Sequence, residues 1–296
     1  MKVSYFPGCT LNTTGKGFDN AVRASAAVVG LELVELPDWN CCGATFPLIV
    51  DNMLELAAPA HVLVAAREEG SAMVTTACTT CYNVLKRTNK FIREHEEERE
   101  RIEAFIEAEY SGEVEVKDIL HLLRDDVGFS AVQKQVQTPL SDLKVASYYG
   151  CMVLRPPDEV AYDDPDNPQS LDDLMAALGA SPVDFPHKNE CCGAYLAVKN
   201  SGITREMVYT ILKSAQAAGA EAVATNCPLC QFNLDKQQAE MRKIHAGYQP
   251  IPVFYFSQLM GLALGLDIGD YGWERHYIDA RPLLDERGLW NGAASE

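Results

Sequence analysis

The chain has 296 residues, of which 47% are hydrophobic and 23% charged, and it carries a net charge of −17. These proportions belong to a globular chain with room for two domains and exclude a disordered one. The acidic balance argues against nucleic acid as a partner, and no run approaches the ~18 apolar residues of a membrane span.

In chain order, KVSYF (2–6) is a short β-rich run that leads to Gly8-Cys9. A helix is expected over 17–29 and a second strand over LELVEL (31–36). The loop of Cys41-Cys42-Gly43 follows, then a helix over about 51–69 and the strand SAMVTTA (71–77), which feeds Cys78-x-x-Cys81. The stretch 81–109, with HEEERERIE inside it, reads as a solvated surface helix. The polar run QKQVQTPLSD (133–142) reads as a linker and sets the expected domains at 1–138 and 139–296.

The second half repeats this order. KVASYY (144–149) leads to Gly150-Cys151, and a helix over 170–178 precedes the strand SPVDF (181–185). Cys191-Cys192-Gly193, a helix over 203–218 and the strand EAVATN (221–226) lead into Cys227-x-x-Cys230. The apolar stretch 253–266, broken by Ser257, Gln258, Gly261 and Gly265, is expected to pack against the sheet. Alternation of strand and helix predicts an α/β fold: two Rossmann-like domains with parallel sheets, related by a pseudo-two-fold axis. Ligand-bearing loops then fall at the carboxyl ends of the strands.

All ten cysteines obey one pattern used twice: a single Cys, then Cys-Cys-Gly, then Cys-x-x-Cys. The surroundings repeat as well, YFPGC (5–9) with SYYGC (147–151), PDWNCCGA (37–44) with PHKNECCGA (186–194), and VTTACTTCYNVL (74–85) with VATNCPLCQFNL (223–234). A fainter echo pairs VKDILHLL (116–123) with VFYFSQLM (253–260), setting His121 opposite Gln258 as polar residues for a helix start or for tuning a nearby metal group. Such periodicity is an internal duplication. The opening MKVSYFPGC has no apolar segment of signal-peptide length, so the expected compartment is the cytoplasm. Thiols stay reduced there, and metal or redox chemistry explains ten cysteines better than disulfides do.

Five thiols per motif is one more than a structural zinc or a cubane [4Fe–4S] cluster requires. Adjacent cysteines suit an extended cluster in which neighbouring thiolates ligate different irons; a zinc site with one spare thiol is the alternative. Gly43 and Gly193, lacking a Cβ, allow a sharp turn and a close approach to inorganic sulfide. Each Cys-x-x-Cys opens a helix, whose amino-terminal N–H groups favour thiolates and anionic clusters.

The duplicated pattern resembles the cysteine-rich CCG domain family. SYYGCMVLRPP (147–157) is most similar to the B component of heterodisulfide reductases, their iron–sulfur catalytic chain. The resemblance implies two non-cubane [4Fe–4S] clusters, one on Cys9, Cys41, Cys42, Cys78 and Cys81, the other on Cys151, Cys191, Cys192, Cys227 and Cys230. It implies reduction of the mixed disulfide of coenzymes M and B in methanogenesis, with the two clusters sharing the two electrons. The alternative within the family is an electron-transfer subunit of a hydroxy-acid (lactate or glycolate) or other oxidoreductase complex. Implied partners are the ferredoxin-like C component and the flavin-containing iron–sulfur A component, with a hydrogenase or formate dehydrogenase beyond them. Neither a flavin-binding Gly-x-Gly-x-x-Gly after a strand nor a ferredoxin cysteine run occurs in the sequence. An anionic disulfide needs cations near the cysteines, for which Lys16, Arg155, His187, Lys188 and Lys199 are the candidates, Arg155 first because it precedes the stiff Pro156-Pro157.

Overall fold

A computed structural model describes residues 1–44 and 54–290. Two four-stranded parallel sheets account for the alternation read from the sequence. The first is built from β1 (Lys2–Tyr5), β2 (Glu32–Glu35), β3 (Met73–Thr76) and β4 (Glu115–Asp118), in the order β2-β1-β3-β4. The second uses β5 (Lys144–Tyr148), β6 (Ser181–Pro182), β7 (Ala222–Thr225) and β8 (Val253–Tyr255), in the matching order β6-β5-β7-β8. The central strands are short and apolar because both faces are covered by helices, and all four residues of β7 are buried. In each sheet the chain reverses direction of travel between the first and third strands, which opens a crevice at their carboxyl ends.

Three elements differ from the sequence reading. The expected helix over 81–109 is two helices, Thr79–Glu94 and Glu96–Ile106, separated at His95, whose backbone is extended (φ −125°, ψ 90°). The break lets the second helix turn Ile102 and Ile106 inward beside helix Leu54–Glu68, so one of its faces is core and not solvent. The strand SPVDF pairs only at Ser181–Pro182, at the sheet edge where a proline is tolerated. The run 133–142 is anchored instead of loose: the N–H groups of Gln137 and Thr138 both donate to the Ala263 carbonyl, and Leu140 is fully buried. Residues 51–53 of the expected helix over 51–69 lie outside the described residues; its described part is Leu54–Glu68.

The halves share a core. Helix Phe256–Ala263 is buried along its whole length and packs on helix Lys16–Val28 of the other half, not on its own sheet alone. The pseudo-symmetric contact sets helix Ile119–Leu122 of the first half against helix Ser170–Ala177 of the second. Phe18 stacks on Tyr255 at 4.3 Å between ring centres, and one continuous apolar cluster runs from Val3 and Phe18 to Leu171, Phe256 and Leu264. Among the described residues no helix is long and apolar enough to cross a membrane.

Candidate metal centre

In the first half Cys9 follows β1, Cys41 and Cys42 follow β2, and Cys78 and Cys81 follow β3. Three loops at the carboxyl end of one sheet thus converge on one place. Cys41 Sγ lies 3.6 Å from Cys9 Sγ, and Cys42 Sγ lies 3.4 Å from Cys81 Sγ. The second half reproduces this: Cys192 Sγ is 3.5 Å from Cys230 Sγ, and Cys151 lies beside Cys191, close enough to lower its thiol. All ten are free thiols. Both sets have the same gradient of exposure, with the single Cys and the first of the adjacent pair outermost and the other three buried. Five thiols drawn to one sheet end, part buried, with one open side and with pairs 3.4 to 3.6 Å apart, supply the sulfur donors a multi-iron cluster requires, although among the described residues no three of them are already set around a single metal ion.

Hydrogen bonds polarise the thiols. The bond shared with Cys81 brings Cys42 down to about 7, while the same bond and burial push Cys81 well up. Cys230 does the same for Cys227, which also drops to about 7, and Cys151 brings Cys191 down to about 6. Burial raises Cys41 to about 11. Cys78 and Cys227 occupy the N-cap positions of helices Thr79–Glu94 and Pro228–Ile244, where the amides of the first turn lack intrahelical partners.

The glycines act in two ways. Gly43 and Gly193 have φ of +85° and +74°, the turn expected of them, and the Gly193 N–H donates to Cys191 Sγ at 3.3 Å. Gly8 and Gly150, which sequence reasoning missed although they repeat before Cys9 and Cys151, are as tightly constrained. A Cβ on Gly8 would sit 2.8 Å from Cys81 Sγ, and one on Gly150 would sit 3.2 Å from Cys230 Sγ.

The two sets of thiols approach each other. Thr79, between the cysteines of the first Cys-x-x-Cys, lies close to Cys227 of the second and helps lower its thiol, although its own hydroxyl has no hydrogen-bond partner among the described residues. Tyr195, two residues after Gly193, donates its hydroxyl to the Ala44 carbonyl at 2.7 Å, joining the two Cys-Cys-Gly loops. Its phenol is pushed up to about 12, by burial first and then by Cys227, Cys151, Cys42 and Cys78, which belong to both sets. Sequence reasoning missed Tyr195 too, where only its place in CCGAY beside CCGAT signals it.

The candidate cations are dispersed. Lys16 pairs with the buried Asp19 at 2.9 Å. Lys188 is itself buried, 2.9 Å from Asp184 and 3.9 Å from Asp172. Arg155 is exposed and donates to the Asn189 carbonyl at 2.8 Å. His187 is half-buried, its Nδ1 unpartnered among the described residues, and Lys199 is exposed. Gln258 caps its helix, accepting from the Tyr255 N–H and donating to the Tyr271 carbonyl, while His121 faces Asp125 at 3.1 Å.

A cavity of about 640 Å³ opens between the halves, lined by Thr10 beside Cys9 and by Pro228 and Leu229 between Cys227 and Cys230. The remainder of its wall comes from Thr14, Gly15, Gly17, Phe18, Gln231, Phe232, Tyr255, Tyr271, Gly272 and the segment from Glu274 to Tyr277.

Comparison with known proteins supports the same picture. The cysteine-rich domain family, CCG, matches twice, over residues 3–86 and 145–235, and each match takes in one complete set of five cysteines. The membrane anchor subunit of an 8-methylmenaquinol:fumarate reductase from Wolinella succinogenes is 34% identical over 95% of this chain and 98% of its own length. The B component of a ferredoxin/F420H2-dependent CoB–CoM heterodisulfide reductase from Methanosarcina acetivorans is 30% identical over 94% of each chain. Among solved structures, a hypothetical protein from Helicobacter pylori matches with a TM-score of 0.72 at 13% identity, over 93% of this chain. That likeness is one of fold, and the present chain spans about half of that molecule, 51%. With both cysteine sets matched and relatives that are subunits of oxidoreductase complexes, the chain belongs to the CCG cysteine-rich domain family.

Proposed function

We propose that this chain is the two-cluster iron–sulfur subunit of a redox complex, with the halves 1–138 and 139–296 each holding one non-cubane [4Fe–4S] cluster on its own five cysteines. The observation that carries the proposal is the gathering of each half's cysteines at the carboxyl end of its own sheet, with sulfur pairs 3.4 to 3.6 Å apart. When bound, the clusters would supply electrons one at a time to a two-electron reaction. The chain's own residues would hold the two sites face to face: Cys78 and Cys227 anchor them at helix amino termini, and Tyr195 ties the outer loops.

In the first reading, supported by the heterodisulfide reductase relatives, the substrate is the mixed disulfide of coenzymes M and B. A ferredoxin-like C component, fed by a flavin-containing A component, would supply the electrons. Arg155, His187 and Lys199 are the cations left to meet its anionic ends, since Lys16 and Lys188 are held by carboxylates. A second reading, an electron-transfer subunit exchanging electrons with a quinone, is favoured by the cavity wall, where the one cation pairs with a neighbouring carboxylate, and by the relative named for a menaquinol.

Anaerobic iron and sulfide analysis with electron paramagnetic resonance tests the proposal. We expect about eight irons per chain, four for each cysteine set, and under oxidising conditions a paramagnetic signal that changes on adding coenzyme M and then the heterodisulfide. Four irons with zinc in the other half would overturn the two-cluster proposal. A signal blind to thiol and disulfide would remove the first reading and leave the second.

A further inference from the structure

The duplication sets the chain after the single Cys of each half against the Cys-x-x-Cys helix of the other, so the molecule contains two versions of one groove. In the first, the long segment after Cys151 lies along helix Thr79–Glu94. Asn83 Nδ2 donates to the carbonyls of Met152 and Arg155 at 2.7 and 2.8 Å, Tyr82 to that of Val160, and Lys90 to that of Asp158 at 3.0 Å. Arg87 pairs with Glu159 at 2.6 Å, which leaves its side chain only 15% exposed. This groove takes a polypeptide segment, held by its backbone carbonyls and one carboxylate.

In the second groove the loop between Cys9 and helix Lys16–Val28 spans only 10–15, too short to cover helix Pro228–Ile244. The cavity of about 640 Å³ lies there, open from Thr10 and Leu229 to Phe232 and Tyr277. In the repeat, Phe232 stands where Asn83 does and Lys236 where Arg87 does. Both are exposed. The Lys236 ammonium lies 5.0 Å from the centre of the Phe232 ring and pairs with no carboxylate among the described residues. Farther along the same helix, Glu240 and Lys243 neutralise each other at 2.7 Å. Phe232 and Tyr277, 44% and 51% exposed, meet edge-to-face and give the unpaired cation an apolar neighbourhood. Asp235, which accepts from the N–H groups of Tyr277 and Ile278, holds that side of the groove in place.

We propose that the second groove receives an acidic segment of another subunit, which lies across helix Pro228–Ile244 as the segment after Cys151 lies across helix Thr79–Glu94 and brings an Asp or Glu to Lys236. The proposal rests on the reading of this chain as a subunit of a redox complex, and adds where a partner attaches. Lys236 holds the place of a cation that a carboxylate satisfies in the twin groove. In a chain of net charge −17, an exposed lysine without a carboxylate is a local point of attraction on a surface that otherwise repels acidic chains, so it fixes where such a segment docks. Phe232 and Tyr277 supply apolar area for the segment to bury. The groove starts at Leu229, between Cys227 and Cys230, so the attached partner stands beside the second set of thiols.

The test is carbodiimide coupling, which joins a lysine amine directly to a carboxylate in contact with it, on the complex isolated anaerobically, with mass spectrometry of the peptides linked to Lys236. We expect Lys236 joined to an Asp or Glu of a different subunit. Lys236→Arg keeps the charge but has no amine to couple, so the link disappears and the complex remains. Lys236→Glu weakens the association about fivefold or more, read by gel filtration of a dilution series. The side chain is exposed, so both variants keep the fold. In a complex that stays together, Lys236 left unlinked, linked only within this chain or linked to a second copy of it overturns the docking site and leaves the subunit reading standing. So does an association unchanged by Lys236→Glu. A chain that elutes alone with its full iron overturns both.

Discussion

Gly8→Ala tests whether the cysteine sets are built on close approach of backbone to sulfur. Gly8 has φ +72°, and a Cβ there would meet Cys81 Sγ at 2.8 Å. Two penalties add: about 1–2 kcal/mol for a left-handed alanine and about 1–3 kcal/mol for forcing an atom into a packed site. Gly30 is the control, with φ +78° and no described atom within 4 Å of its added Cβ, so Gly30→Ala carries the first penalty alone. Both variants are reconstituted anaerobically, assayed for iron and sulfide, and melted beside the wild type. Gly30→Ala should keep full iron and melt slightly lower. Gly8→Ala should melt lower still and lose the iron of one set, about half the total. Equal iron and equal melting in the two variants would refute the claim that Gly8 is required by Cys81.

Three further outcomes follow from contacts between and within the halves. Asn83→Ala removes both donors that hold the segment after Cys151 and should cost about 2 kcal/mol, read by urea denaturation. Lys188→Ala leaves the buried Asp172 with the Tyr149 hydroxyl as its hydrogen-bond donor but without a nearby cation, and should cost about 1–3 kcal/mol, read the same way. Asp118 is fully buried, and burial pushes its carboxyl up to about 8. A carboxyl raised by folding stabilises most when protonated, so its share is complete below about pH 4 and is lost as pH rises through about 8. Asp118→Asn keeps an acceptor for the Leu120 N–H and cannot ionise. It should therefore gain about 1 kcal/mol or more on the wild type between pH 5 and pH 8.5, followed by melting temperature against pH.

Much of this protein was legible in its residues. Ten cysteines in one repeated pattern disclosed the duplication, the two sets and the placement of Cys78 and Cys227 where strand meets helix, because spacing and strand–helix alternation are local properties of the chain. The kink at His95 and the shortening of SPVDF to Ser181–Pro182 were not local: burial of Ile102 and Ile106 decided the first, and the edge position of the strand the second. The cations chosen by nearness to a cysteine in sequence were a weaker guide, since Lys16 and Lys188 are claimed by Asp19 and Asp184, carboxylates that lie one helical turn away or across a loop. Tyr195, which joins the two Cys-Cys-Gly loops, and His276, with its unpaired Nδ1, stand out only once the chain is folded, because their neighbours are distant in sequence. The sequence by itself determined a pair of equivalent halves. Tertiary structure alone decided that they are not used equivalently, because a long segment seals one groove through Asn83 and Tyr82 while a short loop leaves the other open.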